Sequence, residues 1–265
     1  PVLADDASSD DLPLADHPLV DTIVRVADGA ELSRDELTAA LAEARFVVLG
    51  EKHDNRQHHV IQAELVEQLG RTGELDAVAF EMLPRDTQID VTAHVQNGGD
   101  AAGLAEAVRW SELGWGPWTW YGPIADAALR HGATIVAADI SSEDAHAIYQ
   151  TGFDALDPAL VARTGLDQPL DDADRAARVQ AMVEAHCGHD LGPMAESMVQ
   201  VQRARDAMLA DRLATLTDDG QGVLITGNGH AATDQGVPVV LAQLEPDAVT
   251  ISLGLTEVRP EWDGV

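Results

Sequence analysis

Five short apolar runs, rich in β-branched residues, constrain the fold more than any other feature of the sequence. They span residues 46–49, 77–80, 134–138, 222–226 and 248–253. Four to six apolar residues bounded by polar residues or glycine are typical of strands that are buried on both faces. Such strands occur in parallel sheets that are covered by helices on both sides, so the runs predict an α/β protein.

Capping residues mark the starts of two helices between these runs. Ser33 and Glu36 have the residue types and the spacing of a capping box. Asp54 or Asn55 can cap a second helix, which the spacing of its apolar residues extends to about residue 69. The alternation of strand and helix is the pattern expected of a parallel sheet.

The second half of the chain is predominantly helical in pattern. Longer helices are predicted near residues 174–187 and 193–216. We therefore predict a mainly parallel central sheet with helices on both faces and a helical insertion over about residues 140–220. Residues 17–265 form a single domain in this interpretation. The acidic, serine-containing lead at residues 1–16 is predicted to be a disordered tether.

Composition excludes several classes of partner. Sixteen basic and 46 acidic residues give a net charge of −30, and Lys52 is the only lysine. The negative electrostatic field of such a chain repels the phosphate backbone of nucleic acids, so nucleic-acid binding is not expected. No apolar run approaches the roughly 18 residues of a membrane span. The single cysteine, Cys187, cannot form an intrachain disulfide.

Side chains that can bind metals or transfer protons follow the predicted strands. Parallel sheets bind ligands outside the carboxyl ends of their strands. Ionisable side chains occupy four of these ends, at Glu51 with His53, Glu81, Asp139 and His230. His53 and His230 share a Gly-x-x-His frame, in which glycine permits a sharp exit from the strand.

Two histidines with Glu51 or Glu81 form a nitrogen and oxygen ligand set that suits zinc, manganese or iron. The same residues also suit a carboxylate general base, Glu51 or Glu81, beside a metal-bound water. A single histidine at such a position more often only bonds across its loop. The pair together with Glu81 favours a functional site.

Other aromatic and basic residues have alternative interpretations. His58 continues the apolar stripe of the second helix and either reaches a ligand or completes the core, whereas His59 is expected to point sideways or to solvent. Residues 110–121 hold four of the five tryptophans, and the outer ones are expected to pack on the core. Tyr121 is the residue of this segment that we favour for function. Intramolecular ion pairs are predicted for Arg203, Arg205 and Arg212.

The motifs resemble those of the ChaN-like haem-uptake family, whose superfamily includes Tiki-type metalloproteases and erythromycin esterases. The resemblance runs from about residue 17 to 255. It rests on residues 17–20 (HPLV), 49–55 (LGEKHDN), 58–59 (HH), 80–83 (FEML), 110, 114–115 (GW), 121–124 (YGPI), 186–188 (HCG), 202–206 (QRARD) and 226–230 (TGNGH).

The resemblance implies an α/β fold with a pocket at the strand ends and haem as the ligand. Carried over by motif, four residues would line the metal or catalytic site of the superfamily: Glu51, His53, Glu81 and His230. Five further residues in family motifs are assigned to cofactor binding: His58, His59, Trp115, Tyr121 and Asn228. Within the family, haem binding can involve a tyrosine ligand and a dimer that encloses the haem.

Two main functions follow as expectations. The first is a haem-binding protein of a bacterial iron-acquisition system, with a homodimer and haem-uptake transport components as partners. The family implies a location in the cell envelope, either periplasmic or as an outer-membrane-anchored lipoprotein. The alternative is a metal-dependent esterase or peptidase that uses Glu51 or Glu81 with His53 and His230. A weaker third interpretation is an oligomeric structural lipoprotein.

Overall fold

The computed structural model describes residues 14–186 and 188–262. Most of the predicted tether, residues 1–13, and the single cysteine, Cys187, lie outside the described residues. A short antiparallel hairpin precedes the main domain and consists of β1 (Ile23–Arg25) and β2 (Ala30–Leu32). Its strands have only three residues each, which is too short for a clear alternating pattern in the sequence.

The central sheet has five strands, all parallel, and confirms the five predicted runs. The strands are β3 (Phe46–Glu51), β4 (Leu75–Pro84), β5 (Thr134–Asp139), β6 (Gln221–Gly227) and β7 (Thr250–Gly254). Their order across the sheet is β5-β4-β6-β3-β7. β4 continues four residues beyond the predicted run, so Glu81 lies within the strand and not after it.

Five helices accompany the first part of the sheet. They are α1 (Arg34–Ala42), α2 (Arg56–Gly70), α3 (Gln88–Gln96), α4 (Ala101–Ala107) and α5 (Trp118–Arg130). The capping box of Ser33 and Glu36 at the start of α1 is confirmed. Asn55, and not Asp54, caps α2 by accepting the backbone N–H groups of Gln57 and His58.

Six more helices follow β5. They are α6 (Ser142–Thr151), α7 (Pro158–Arg163), α8 (Asp172–Ala185), α9 (Met194–Leu216), α10 (Asn228–Ala231) and α11 (Val237–Leu244). The first four occupy the region that the sequence predicts to be a helical insertion between strands. No helix in the described part of the chain is long and apolar enough to cross a membrane.

Alternate residues of the central strands face two separate cores. Val47 and Leu49 of β3 belong to a buried cluster that includes residues of α2 and α5. Phe46 and Val48 belong to a second cluster with α9 and α11 on the other face. Burial on both faces explains why the strands appear in the sequence as continuous apolar runs. The predicted helices on both faces are confirmed.

The strand order places a topological switch point at the carboxyl end of β6. The chain leaves β3 and β4 toward helices that pack in the first core, whereas it leaves β6 toward α10 and α11, which pack in the second. Because β6 lies between β3 and β4, the loops diverge on both sides of it. A parallel sheet binds ligands at such a switch point.

Candidate functional site

Glu51 and His53 form a tight pair at the end of β3. Oε1 of Glu51 lies 2.6 Å from Nδ1 of His53. The Glu51 side chain is fully buried, whereas the His53 side chain is 41% exposed. Burial lowers the pKa of His53, but the hydrogen bond with Glu51 and the charges of Glu81 and Glu51 outweigh burial and raise it. The carboxylate thus fixes the ring nitrogen that carries the proton.

Glu81 is the most heavily bonded carboxylate of the site. Its Oε2 accepts the Thr226 hydroxyl and the Gly227 N–H, each at 2.7 Å, and its Oε1 accepts the Arg205 guanidinium at 2.7 Å. Burial alone would raise the pKa of Glu81. The positive charges of His230, Arg205 and His53 and the hydrogen bond from Gly227 outweigh burial and lower the pKa to about 2. Glu81 is therefore a permanent negative charge at neutral pH.

His230 is a second histidine held by a carboxylate. It lies on α10 directly after β6, and its Nδ1 is 2.6 Å from Oδ1 of Asp206. Burial lowers the pKa of His230, but the charges of Glu81 and Asp206 outweigh burial and raise it. Its Nε2 lies 3.6 Å from Oε1 of Glu81, and Nε2 of His53 lies 3.8 Å from the same oxygen. The structure thus brings together the four residues predicted from the strand ends.

Helix α9 supplies two charged residues that the sequence analysis did not assign to the site. Arg205 forms a two-pronged ion pair with Asp139 in addition to its bond with Glu81. Asp206 is buried against His230, and burial raises its own pKa. The sequence contains a clue, since Asp206 and Asp211 are the charged residues on a buried side of the helix that is otherwise apolar, and Arg205 directly precedes Asp206.

The predicted ion pairing of the α9 arginines is confirmed for Arg205 only. Arg203 donates to the backbone carbonyl of Gln168 and lies over the Phe153 ring. Arg212 donates to the Ala137 carbonyl and the Gln88 side chain. Both arginines therefore act as donors to backbone carbonyl oxygens.

The tryptophan-rich segment covers the first strand end. The Trp115 ring makes an edge contact with His53 at 4.9 Å between centroids. His59 is 1% exposed and lies between the rings of Trp120 and Tyr121, so the expectation that it points sideways or to solvent was wrong. Helix α2 lies against α5 here, and this packing covers the face of His59.

Tyr121 is fully buried beside Glu51. Burial and the charge of Glu51 raise the pKa of Tyr121 far above its ordinary value, so the hydroxyl stays protonated. The Tyr121 hydroxyl and Oε2 of Glu51 are both buried and both lack a hydrogen bond of good geometry. An unsatisfied buried polar atom costs about 1–3 kcal/mol, so these two atoms are a costly feature of the site.

Two other predicted residues bond to neighbouring backbone segments. Nδ1 of His58 accepts the Lys52 N–H at 3.1 Å, and burial lowers the pKa of His58. The Asn228 amide donates to the Leu255 carbonyl at 2.6 Å. His58 thus fixes the turn after β3, and Asn228 ties β6 to the segment after β7.

Ion pairs occupy the acidic side chains at the centre of the site. Within the described ranges, no three or more histidine, aspartate or glutamate side chains are arranged to hold a metal ion. Both oxygens of Glu81 are already engaged by Arg205, Thr226 and Gly227. What the arrangement offers is two imidazoles whose Nδ1 atoms each face a buried carboxylate and whose Nε2 atoms both lie close to Glu81.

The comparison with protein families identifies the chain. Residues 37–241 match the family of haem-binding uptake proteins of the Tiki superfamily, which includes ChaN. The chain belongs to this family. The match covers all the site residues described above and so confirms the resemblance seen in the motifs.

A solved structure supports the fold. A structure of ChaN of Campylobacter jejuni, which shows cofacial haem binding, has a TM-score of 0.72 and 20% sequence identity, and the similarity covers 90% of this chain and 91% of that one. The type III effector HopBA1 shows a more distant similarity, with a TM-score of 0.41, 15% identity and coverage of 74% and 72%. No curated protein matches the sequence.

Proposed function

We propose that this member of the haem-binding uptake family binds haem at the carboxyl ends of the central strands, with His53 as the iron ligand. One observation carries the choice of residue. His53 is the solvent-accessible histidine of the pair, at 41% side-chain exposure against 5% for His230, and its Nδ1 is held by a buried carboxylate. Imidazole is a common protein ligand of haem iron.

The residues around His53 fit this role. A histidine whose Nδ1 proton is donated to a carboxylate is a more basic and better oriented metal ligand. The Trp115 indole, in edge contact with His53, gives a flat apolar surface for a porphyrin. When bound, haem would supply a redox-active iron; the protein supplies the imidazole and the apolar wall.

Tyr121 is less suited to be the ligand. Its hydroxyl is fully buried, and the raised pKa keeps it protonated beside Glu51. A tyrosine ligand has to lose this proton and to reach the iron. His53 is already accessible to solvent, and its Nε2 becomes free for iron when the imidazolium loses one proton, which needs no change in the core.

Titration with haemin tests the proposal. We expect a saturable shift of the Soret band for the wild-type chain and a loss of binding for His53→Ala. His146→Ala is the matched control, because His146 is an exposed histidine on α6 that bonds only to Gln150 among the contacts seen. Unchanged binding in His53→Ala would remove His53 as the ligand, and no binding by the wild type would remove the function.

Hydrolysis is the second candidate, and a specific observation favours it. His53 and His230 are both oriented by carboxylates, and both bring Nε2 close to Glu81. Two imidazoles with raised pKa values beside a fixed negative charge suit general acid–base catalysis. The metal-dependent form of this proposal, with zinc, manganese or iron on His53, His230, Glu51 and Glu81, requires the metal to displace the donors that now engage both oxygens of Glu81.

Metal analysis and activity assays separate the two candidates. The hydrolase proposal predicts bound divalent metal in the purified protein and turnover of ester or peptide probes that His230→Ala abolishes. Haemin binding without turnover of any probe favours the first proposal. Turnover that survives His230→Ala would exclude this site as the catalytic centre.

We also propose the family context for this chain: a homodimer, haem-uptake transport components as partners, and a location in the cell envelope. The support is family membership alone. Light scattering of the purified chain with and without haemin tests the dimer, and fractionation of producing cells tests the location. A monomer in both states, or recovery only with the cytoplasmic fraction, would contradict these points.

A further inference from the structure

Two buried polar atoms near the end of β3 have no hydrogen-bond partner. One is the hydroxyl of Tyr121 and the other is Oε2 of Glu51, and neither has a hydrogen bond of good geometry. Both side chains lie against the same histidine: Nε2 of His59 is 4.0 Å from Oε2 of Glu51, and the His59 ring is 4.3 Å from the Tyr121 ring between centroids. The second oxygen of the same carboxylate, Oε1, is bonded to Nδ1 of His53 at 2.6 Å. The three side chains therefore form a continuous line from α5 to the exposed imidazole.

The surroundings of Tyr121 leave its hydroxyl no route to solvent. The side chain is fully buried, with its ring 4.3 Å from the His59 ring and 5.1 Å from the Trp110 ring between centroids. Buried donors and acceptors in folded proteins are almost always paired. A confined donor beside a confined acceptor needs only a small adjustment to form a hydrogen bond.

We infer that the Tyr121 hydroxyl donates to Oε2 of Glu51 and that Tyr121 is thereby a positioning residue for His53. The bond holds the carboxylate so that Oε1 faces Nδ1 of the imidazole. The His53 proton then stays on Nδ1, and Nε2 is the free ring nitrogen. This arrangement belongs to the ligand-free chain; its use in presenting His53 to iron rests on the proposed function.

Nuclear magnetic resonance of the imidazole nitrogens tests the inference in the ligand-free protein. At a pH above the raised pKa of His53, the wild type is expected to show the neutral imidazole in one tautomer, with the proton on Nδ1. Tyr121→Phe should lose this single-tautomer pattern and show protonated Nε2 as well. Tyr149→Phe is the matched control, because Tyr149 is the other tyrosine of the chain and lies exposed on α6. It should keep the wild-type pattern.

A second measurement uses the wild type and does not depend on how the variant folds. The Tyr121 hydroxyl proton should exchange slowly enough to be observed and should show proximity to the Glu51 side chain. A hydroxyl that exchanges as fast as that of Tyr149 would contradict the inference. A folded Tyr121→Phe variant that keeps the wild-type His53 tautomer would also contradict the inference, provided that Glu51→Gln changes that tautomer.

Haemin titration of the same variants keeps the two proposals apart. Failure of every variant and of the wild type to bind haemin overturns the proposed function but leaves the tautomer result standing. Conversely, the wild type could bind haemin while Tyr121→Phe keeps the wild-type tautomer. This result would retain the proposed function and overturn the positioning role of Tyr121.

Discussion

His53 and His230 bring their Nε2 atoms to the same oxygen of one glutamate, at 3.8 and 3.6 Å. The two histidines follow neighbouring parallel strands, β3 and β6, whose register pairs Glu51 with Gly227. Each Gly-x-x-His segment therefore leaves the sheet at nearly the same level. The convergence results from strand register and needs no long-range loop to fold back.

Gly227 tests whether the position of His53 matters. A Cβ at this residue would lie 2.9 Å from Nε2 of His53, so Gly227→Ala should displace the imidazole while leaving the backbone intact. We expect haemin affinity to fall about tenfold or more, equivalent to roughly 1.4 kcal/mol. Gly229→Ala is the control, because its Cβ would meet only Gln202, at 3.8 Å. Equal affinities in the two variants would argue against His53.

The sequence predicts the sheet well because its strands are buried on both faces. Apolar runs such as those of β3 and β6 are too short for helices, and the residues that follow them identify Glu51 and His230 directly. Arg205 and Asp206 could not be found in this way, because they reach the site from the middle of a long helix and not from the end of a strand. Only the crossing of α9 over the strand ends places them there, and no local pattern encodes that crossing.

The burial of His59 shows a second limit of sequence analysis. Helical spacing placed it beside the apolar stripe of α2, and the stripe alone gave no reason to bury it. Packing of α5 against α2 closes that face with Trp120 and Tyr121. The burial of His59 thus depends on a tertiary contact, which the local periodicity of α2 does not predict.

Glu81→Gln tests the energetic weight of the central carboxylate. The substitution leaves the buried Arg205 guanidinium with one ion-pair partner fewer, and breaking a buried pair costs about 3–5 kcal/mol. Chemical denaturation should show a lower free energy of unfolding. Asp126→Asn removes a partner of Arg130 at the surface and should leave this free energy nearly unchanged. A loss below about 1 kcal/mol in Glu81→Gln would show that the network contributes little.

Stability should depend on pH through His230. Because the pKa of His230 is raised in the folded chain, its contribution is fully present below about pH 6.5 and is lost as the pH rises through the folded value. The free energy of unfolding should therefore fall from pH 6.5 upward. Asp206→Asn removes one of the charges that raise this pKa, so its profile should be flatter. Parallel profiles for the two proteins would contradict the assignment.

Trp115 should report on haem directly. Haem absorbs where tryptophan emits, so haemin bound beside His53 should quench the fluorescence of the adjacent Trp115. Trp115→Phe should lose part of this quenching and bind haemin several-fold more weakly. Trp262→Phe, which removes an indole near Arg259, is the control and should retain both. A larger effect in Trp262→Phe would place the haem elsewhere.

Pulsed electron paramagnetic resonance of the ferric haem complex, prepared with ¹⁵N-labelled histidine, tests the central claim most directly. We predict a hyperfine coupling between the iron and a histidine nitrogen in the wild type and in His146→Ala, and its loss in His53→Ala. A coupling that persists in His53→Ala, or its absence from a wild-type chain saturated with haemin, would contradict the assignment of His53 as the ligand.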